Sequence, residues 1–309
     1  MSSSETSFYR LGHLSVVDIG GQDAAKIINN LTTNEVVGLD CGQGRETFVT
    51  DVRGKTVGHV CLYRQSECFR LIGAPGQSEK ILPHVDRYTI REDATPVSRD
   101  ADFSTVVIAE AAASQAGIEP ALNDEPIGGG VVRLGDVERE AYRTRWLGEQ
   151  TLTLLIPVTE IDSVVESLSE LHLAPAGEAE FHAARIKVGF PWYGIDLDDS
   201  NLPQELDRDR EAISFTKGCY LGQETVARLD ALGQVQRKLV RWSIQGSIPE
   251  SGAILSAGDK AVGRLTSVLA LSENEAIALG FARRSHFEAG ATASGSDSDS
   301  GADFTATVL

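Results

Sequence analysis

At 309 residues with 41 % hydrophobic content, the chain is long enough to bury a substantial core and is expected to divide into two or three domains. Its 45 Asp and Glu against 28 Lys and Arg give a formal charge of -17, a field that repels nucleic acid and anionic membrane in general. No apolar run reaches the length needed to cross a bilayer, and the polar start Met1-Ser2-Ser3-Ser4 is not a secretory signal, so a soluble cytoplasmic protein is expected.

Residues 14–19 read as a strand, Gly20-Gly21 as a turn, and 22–30 as a short helix with apolar Ala24, Ala25, Ile27 and Ile28. Residues 47–52 and 56–64 form a hairpin around the basic turn Arg53-Gly54-Lys55, followed by a strand at 68–72 and a helix at 78–86. From Phe103 the pattern changes. A strand at 103–109, a helix at 111–116, strands at 131–134, 140–146 and 151–156, and a helix ending near Leu171 give the order β-α-β-β-β-α. That order predicts a ferredoxin-like sheet with its helices on one face. Gly128-Gly129-Gly130 reads as a flexible link without the spacing of a dinucleotide loop. Residues 181–188 are helical. Short strands at 239–243, 253–255, 261–268, 276–283 and 304–308 fit a small all-β barrel, with 294–303 an acidic flexible loop.

Two compositional features bear on chemistry and setting. Lysine occurs at only seven positions, so arginine supplies most of the positive charge; an acidic, lysine-poor surface is the pattern of a halophilic protein in a high-salt cytoplasm. The four cysteines, Cys41, Cys61, Cys68 and Cys219, have neither C-x-x-C nor zinc spacing, so no disulfide framework and no metal site is expected. Cys61 and Cys68 fall in apolar runs and read as core, Cys41 as part of a Gly-rich turn.

Cys219 stands apart. It lies in Phe215-Thr216-Lys217-Gly218-Cys219-Tyr220-Leu221-Gly222-Gln223-Glu224-Thr225-Val226-Ala227-Arg228, between two glycines and just ahead of a helical run that Gly233 ends. A helix start and Lys217 nearby both favour thiolate over thiol. The plain structural alternative is a tight connection with a small sulfur and a solvated lysine.

This string resembles the signature of the YgfZ-type folate-binding proteins, relatives of the glycine-cleavage T protein, an aminomethyltransferase. Residues 23–36 are similar to the opening of that superfamily, which places Asn34 on a turn facing the folate. Arg185-Ile186-x-x-Gly189-x-Pro191 and Pro203-Gln204-Glu205 resemble its folate-proximal region, and Val262-Gly263-Arg264-Leu265-Thr266-Ser267 its C-terminal domain.

The resemblance implies an α+β fold: a three-lobed, aminomethyltransferase-like ring around a central folate channel. Residues 1–100 plus 172–235 would form a discontinuous folate-binding lobe, 101–171 the ferredoxin-like lobe, and 236–309 the C-terminal β-barrel. It implies tetrahydrofolate or a related folate as cofactor and a role supporting iron–sulfur cluster assembly or repair. Partners would be iron–sulfur client or assembly proteins, with tRNA involved indirectly if at all. Cys219 would be the working thiol, with Lys217 holding it ionised. Tyr220 and Gln223 would contact ligand or brace the turn, and Glu224 would pair with Arg228 across one helix face.

Two departures stand out. Gly58 and His59 occupy the hairpin positions where aminomethyltransferases carry an aspartate pair. Lys187 replaces the glutamate that accepts hydrogen bonds from the pterin, which leaves either another acceptor, with Asp196 and Glu205 the candidates, or a weak folate affinity. Both departures weigh against the alternative reading, a folate-dependent aminomethyltransferase or related one-carbon transferase. A scaffold that keeps only the fold is the third.

Overall fold

Two sheets and a closed barrel meet at one apolar cluster in the computed structural model, which describes residues 7–123, 125–148, 150–233, 235–296 and 301–309. The chain enters through β1 (Ser7–Leu11). It then builds β2 (Ser15–Gly20), α1 (Ala24–Leu31), the hairpin β3 (Gly44–Thr50) and β4 (Thr56–Arg64), β5 (Cys68–Gly73), α2 (Ser78–Tyr88) and β6 (Thr95–Ser98). Strands β2 to β6 pair antiparallel in the order β3-β4-β5-β2-β6.

The middle of the chain supplies β7 (Phe103–Ala109), α3 (Glu110–Gln115), β8 (Pro120–Leu122), β9 (Gly129–Leu134), β10 (Val137–Thr144), β11 (Thr151–Pro157), α4 (Ile161–Glu170) and β12 (Ala174–Ala176). These six strands, with β1, form a seven-stranded sheet in the order β12-β1-β7-β11-β10-β9-β8. Helix α5 (Glu178–Val188) packs on β1 and on the barrel, the short α6 (Asp209–Ala212) returns to β3 of the first sheet, and α7 (Gln223–Leu232) follows. The barrel then closes as β13-β16-β15-β14-β17-β18, from β13 (Arg237–Gly246), β14 (Ile254–Ala257), β15 (Lys260–Ala270), β16 (Glu275–Arg283), β17 (Thr292–Ser296) and β18 (Asp303–Val308).

Both sheets are buried on both faces, and the two-residue period of a strand explains how. In the first sheet Val17, Val49, Val60, Leu62 and Leu71 pack under α1 and α2. Their neighbours Val16, Phe48, Cys61, Tyr63 and Ile72 point to the opposite, central cluster. In the second sheet Phe8, Val106, Ala141 and Leu154 pack under α3 and α4, while Tyr9, Val107, Tyr142 and Leu155 join that same central cluster. Phe181, Phe190 and Trp192, with Leu239 and Leu279 from the barrel, complete it.

The centre of the assembly is therefore packed largely with aromatic side chains. One cavity there, lined by His59, Cys61, Trp146, Phe190 and Trp192, has a volume of about 10 Å³, and a second, lined by Leu11, Leu14, Phe181, His182 and Trp192, about 280 Å³.

Several elements differ from the sequence reading. Ser7–Leu11, which had been grouped with the first lobe, hydrogen-bonds between β7 and β12 of the second sheet. Gly129 and Gly130 are not a link but the start of β9, where a Cβ on Gly130 would stand 2.3 Å from the Ala121 carbonyl oxygen. In the acidic stretch 294–303, Ser294–Ser296 and Asp303 are paired between β17 and β18, and 297–300 lie outside the described residues. Among the described residues no helix is long and apolar enough to cross a membrane.

Candidate functional site

The segment from Arg208 to Leu221 is stitched to the turn after α1. Thr33 donates its hydroxyl to the Ala212 carbonyl at 2.6 Å, and its own carbonyl accepts the Ser214 N–H at 2.9 Å. Asn34 Nδ2 donates to the carbonyls of Glu46 and Glu211 at 3.0 and 2.9 Å. Leu221 N–H reaches the Asn30 carbonyl, and the Thr50 hydroxyl reaches the Leu221 carbonyl. Asn34 is thus a brace that fixes the backbone of Glu211, and its amide is already bonded.

Lys217 is the centre of this stitching. Its ammonium donates to three carbonyls, those of Asn29, Thr32 and Asn34, at 2.8, 2.8 and 2.7 Å. An ammonium has three N–H donors, and all are used here, so none is left for the neighbouring thiol. Burial pushes Lys217 down to about 8, yet only the protonated form supplies three donors to three acceptors. Lys217 and the buried Tyr220, whose ring lies 5.1 Å from the ammonium, anchor the loop. Burial pushes the Tyr220 phenol up to about 12.

Between these two anchors Gly218 and Cys219 face solvent, as do Phe215 and Thr216 just before Lys217. Helix α7 begins four residues past Cys219 with Gly222 as its N-cap, and the hairpin tip packs on that glycine. Gly222 has φ +80, and a Cβ there would stand 2.4 Å from the Asp51 carbonyl oxygen, so no other residue fits. Gly218 carries no such constraint. Gln223 is half-buried at the helix start, while Glu224 and Arg228 are exposed and do not form the expected ion pair among the described residues.

Asp196 and Glu205, the expected pterin acceptors, are committed elsewhere. Asp196 accepts from Arg185 at 2.6 Å and from the Trp192 N–H at 3.0 Å on one oxygen, and from Thr266 and Ser267 at 2.6 and 2.7 Å on the other. Arg185 and Asp196 are 1 % and 2 % exposed, so this is a buried latch between α5 and β15 of the barrel. Arg185 Nε also donates to His182 Nδ1 at 2.7 Å. Glu205 accepts from Asn201 at 2.9 Å and pairs with Arg237 at 3.0 Å.

A cluster that sequence reasoning did not assemble joins the hairpin β3–β4 to the segment after Leu206. Glu46 of β3 is 2 % exposed and accepts on one oxygen from both His59 Nε2 and Arg208 Nε at 2.8 Å. Its other oxygen accepts from Arg208 NH2 at 2.5 Å. Burial alone would raise the Glu46 carboxyl, but Arg208 and His59 outweigh it and hold it down to about 2. His59 stacks between Phe48 and Phe190, at 4.6 and 5.6 Å between ring centres, and Arg208 lies 5.2 Å over Phe190.

From this cluster a cleft of about 380 Å³ opens outward. It is lined by Arg145, Gln150, Val188, Phe190, Arg208 and Glu211. Glu211 faces Arg145 at 4.0 Å and has no closer acid–base partner among the described residues. Lys187 is exposed on α5 beside the lining residue Val188. Among the described residues no three His, Cys, Asp or Glu side chains converge as a metal site.

Comparison with known proteins agrees with this architecture. Residues 5–216 match the family model described as the GCVT N-terminal domain, and residues 236–307 match the CAF17 C-terminal beta-barrel domain. An aminomethyltransferase of Rubrobacter xylanophilus is 24 % identical, over 85 % of this chain and 72 % of its own length. The mitochondrial iron–sulfur cluster assembly factor IBA57 of Mus musculus is 26 % identical, over 79 % of this chain and 68 % of its own. The crystal structure of the glycine cleavage system aminomethyltransferase T of Bartonella henselae superimposes with a TM-score of 0.82 at 16 % identity, covering 99 % of this chain and 86 % of that one.

Proposed function

This chain belongs to the GCVT N-terminal domain family, and from that premise we propose that it is a tetrahydrofolate-binding, YgfZ-type protein that supports iron–sulfur cluster assembly or repair, with Cys219 as its working thiol. One observation carries the reading. A single segment lines the cleft at Arg208 and Glu211 and presents Cys219 to solvent further along, and both stretches are fixed to the same turn at 29–34. A ligand in the cleft and a partner at the thiol would therefore act on one rigid piece of chain.

The cleft's donor set suits a pterin. The guanidine-like edge of a pterin presents N–H donors that a carboxylate matches, and the carboxylates of Asp196 and Glu205 are already bonded. Glu211 lines the cleft with its carboxylate only loosely engaged, so it takes the acceptor role that Lys187 cannot fill. Gln150 adds an amide, and Arg145 supplies a cation for the acidic end of the ligand. Tetrahydrofolate bound there would supply a carrier of one-carbon groups. Glu46 holds Arg208 in place, and Phe190 closes the floor and separates the cleft from the interior.

A lone thiol cannot hold an iron–sulfur cluster, so Cys219 would ligate its cargo together with residues of a partner. Because Cys219 is exposed, Cys219→Ser should leave the melting curve unchanged. The same substitution should abolish iron–sulfur enzyme activity in cells that depend on this protein; full activity in those cells would sink the assignment.

One observation favours a second reading, one-carbon transfer. His59, on the hairpin arm where the resemblance places an aspartate pair, is hydrogen-bonded to the ionised Glu46. Incubation with tetrahydrofolate and an aminomethyl-loaded lipoyl carrier decides: formation of methylene-folate that Glu46→Gln abolishes would put this reading first.

A further inference from the structure

A larger cleft, about 760 Å³, lies away from the Arg208 site, between the loop 194–205 and strands β14 to β16 of the barrel. Its size falls within the range of small-molecule sites, about 300–1,000 Å³. Three arginines crowd its barrel wall. Arg237 of β13 stands directly opposite Arg283 of β16, and Arg264 of β15 stands opposite Phe281. Phe281 and Arg283 are two apart on β16 and share a face, and the Arg237 guanidinium lies 4.9 Å over the Phe281 ring.

Like charges placed directly opposite on neighbouring strands destabilise a sheet. In a chain of net charge -17, acids to relieve them are plentiful, yet only Arg237 is relieved. It pairs with Glu205 at 3.0 Å, and its charge also helps hold Asp198, on the loop side, below the usual carboxylate range, after the larger effect of the Ser200 hydrogen bond. Arg264 and Arg283 are exposed and form no ion pair among the described residues.

The neutral polar groups around them are already used. The Ser251 hydroxyl donates to the Thr266 carbonyl, Asn201 to Glu205, and the Thr266 hydroxyl to Asp196. Besides the Asp198 carboxylate, which accepts the Ser200 N–H at the loop edge, what remains on the lining is two guanidinium forks, the Gln236 amide and two exposed apolar side chains, Ile195 at 45 % and Ile254 at 51 %. A wall rich in free donors, flanked by apolar surface, matches an acceptor with a hydrocarbon body.

We propose that this cleft binds a small organic anion, its carboxylate or phosphate on Arg264 and Arg283 and its apolar body against Ile195 and Ile254. The test is calorimetric titration of the full chain with phenyl phosphate, 3-phenylpropionate, inorganic phosphate and benzylamine. At least one of the two organic anions binds at one site per chain, tenfold or more tightly than inorganic phosphate, and benzylamine does not bind. Which of the two binds tells phosphate from carboxylate. The double variant Arg264→Gln, Arg283→Gln weakens that binding tenfold or more while its melting temperature does not fall, because both side chains are exposed and the repulsion between Arg237 and Arg283 is removed. Arg91→Gln, an exposed arginine outside the cleft, leaves binding as it is. The proposal is overturned if neither organic anion binds, if the double variant binds as well as the wild type, or if Arg91→Gln weakens binding equally and so exposes a mere net-charge effect.

Discussion

Replacing Lys217 by methionine separates two roles that a lysine beside a reactive cysteine can have. If it anchors the loop, as its three carbonyl contacts indicate, Lys217→Met leaves the acceptors of Asn29, Thr32 and Asn34 without their donor in a site only 7 % exposed. Each buried acceptor left unsatisfied costs at least about 1 kcal/mol, so the three together cost about 3 kcal/mol. Release of the buried ammonium returns part of that sum, which leaves about 2 kcal/mol and a fall in Tm of roughly 4–8 °C for a domain of 150–250 residues. Urea unfolding measures the stability change. Alkylation of Cys219 by iodoacetamide, followed against pH, measures the effect on the thiol. The account predicts a clear loss of stability and a faster, less selective alkylation because the loop is no longer pinned. Unchanged stability with alkylation slowed tenfold would refute it and return Lys217 to the role of thiolate partner.

Three further outcomes follow from buried charges. Asp196→Asn leaves Arg185 as an unpaired buried cation and loosens the barrel from α5, a loss of about 3–5 kcal/mol that limited proteolysis should reveal as easier release of the barrel. His182 accepts from Arg185 Nε on Nδ1, and burial followed by the Arg185 charge lowers its pKa below 6.5. Its folded form resists protonation, so its contribution is whole above the unfolded value and is lost as pH falls below it; thermal melts from pH 8 to 5 should be steeper for the wild type than for His182→Gln. Asp209 has one buried oxygen without a partner among the described residues, and burial, then Asp207, pushes it up to about 6. A raised carboxyl favours the fold below its unfolded value of 3.8 and loses that advantage as pH rises through about 6. Asp209→Asn should therefore stabilise the protein at pH 7.5, by about 1 kcal/mol once solvent screening is allowed for, and have no such effect at pH 4.

The parts of this molecule that could be read from its sequence are those whose signal is local. The barrel strands showed through alternation because one face of each is core, and the sheet strands as short apolar runs because both their faces are covered. The loop from Phe215 to Arg228 showed because its residues are contiguous, and Gly222 is required by a backbone contact that any side chain would block. Strand β17, Thr-Ala-Ser-Gly-Ser, has no such signal: its small polar residues gain their place only from pairing with β18. Likewise β1 becomes a strand of the second sheet through β7, about a hundred residues away, and nothing within Ser7–Leu11 names that partner.

The candidate cluster at Glu46 was hidden for the same reason. Glu46 and Arg208 are 162 positions apart, and each alone reads as one more surface charge. Asp196 and Glu205 are carboxylates in a suggestive neighbourhood, and only tertiary contacts reveal that their oxygens are already bonded to the barrel and to Asn201. Lys217 has a formal charge near the thiol in sequence, but direction decides its role, and direction is set by three carbonyls nearly two hundred residues earlier.

Titration of the protein with tetrahydrofolate, followed by fluorescence of Trp146 and Trp192 beside Phe190, tests the central claim most directly. The account predicts a saturable change in the wild type, the same affinity in Cys219→Ser, and at least a tenfold loss, about 1.4 kcal/mol, in Glu211→Gln. A wild-type protein blind to tetrahydrofolate, or a Glu211→Gln variant that binds it equally well, would contradict it.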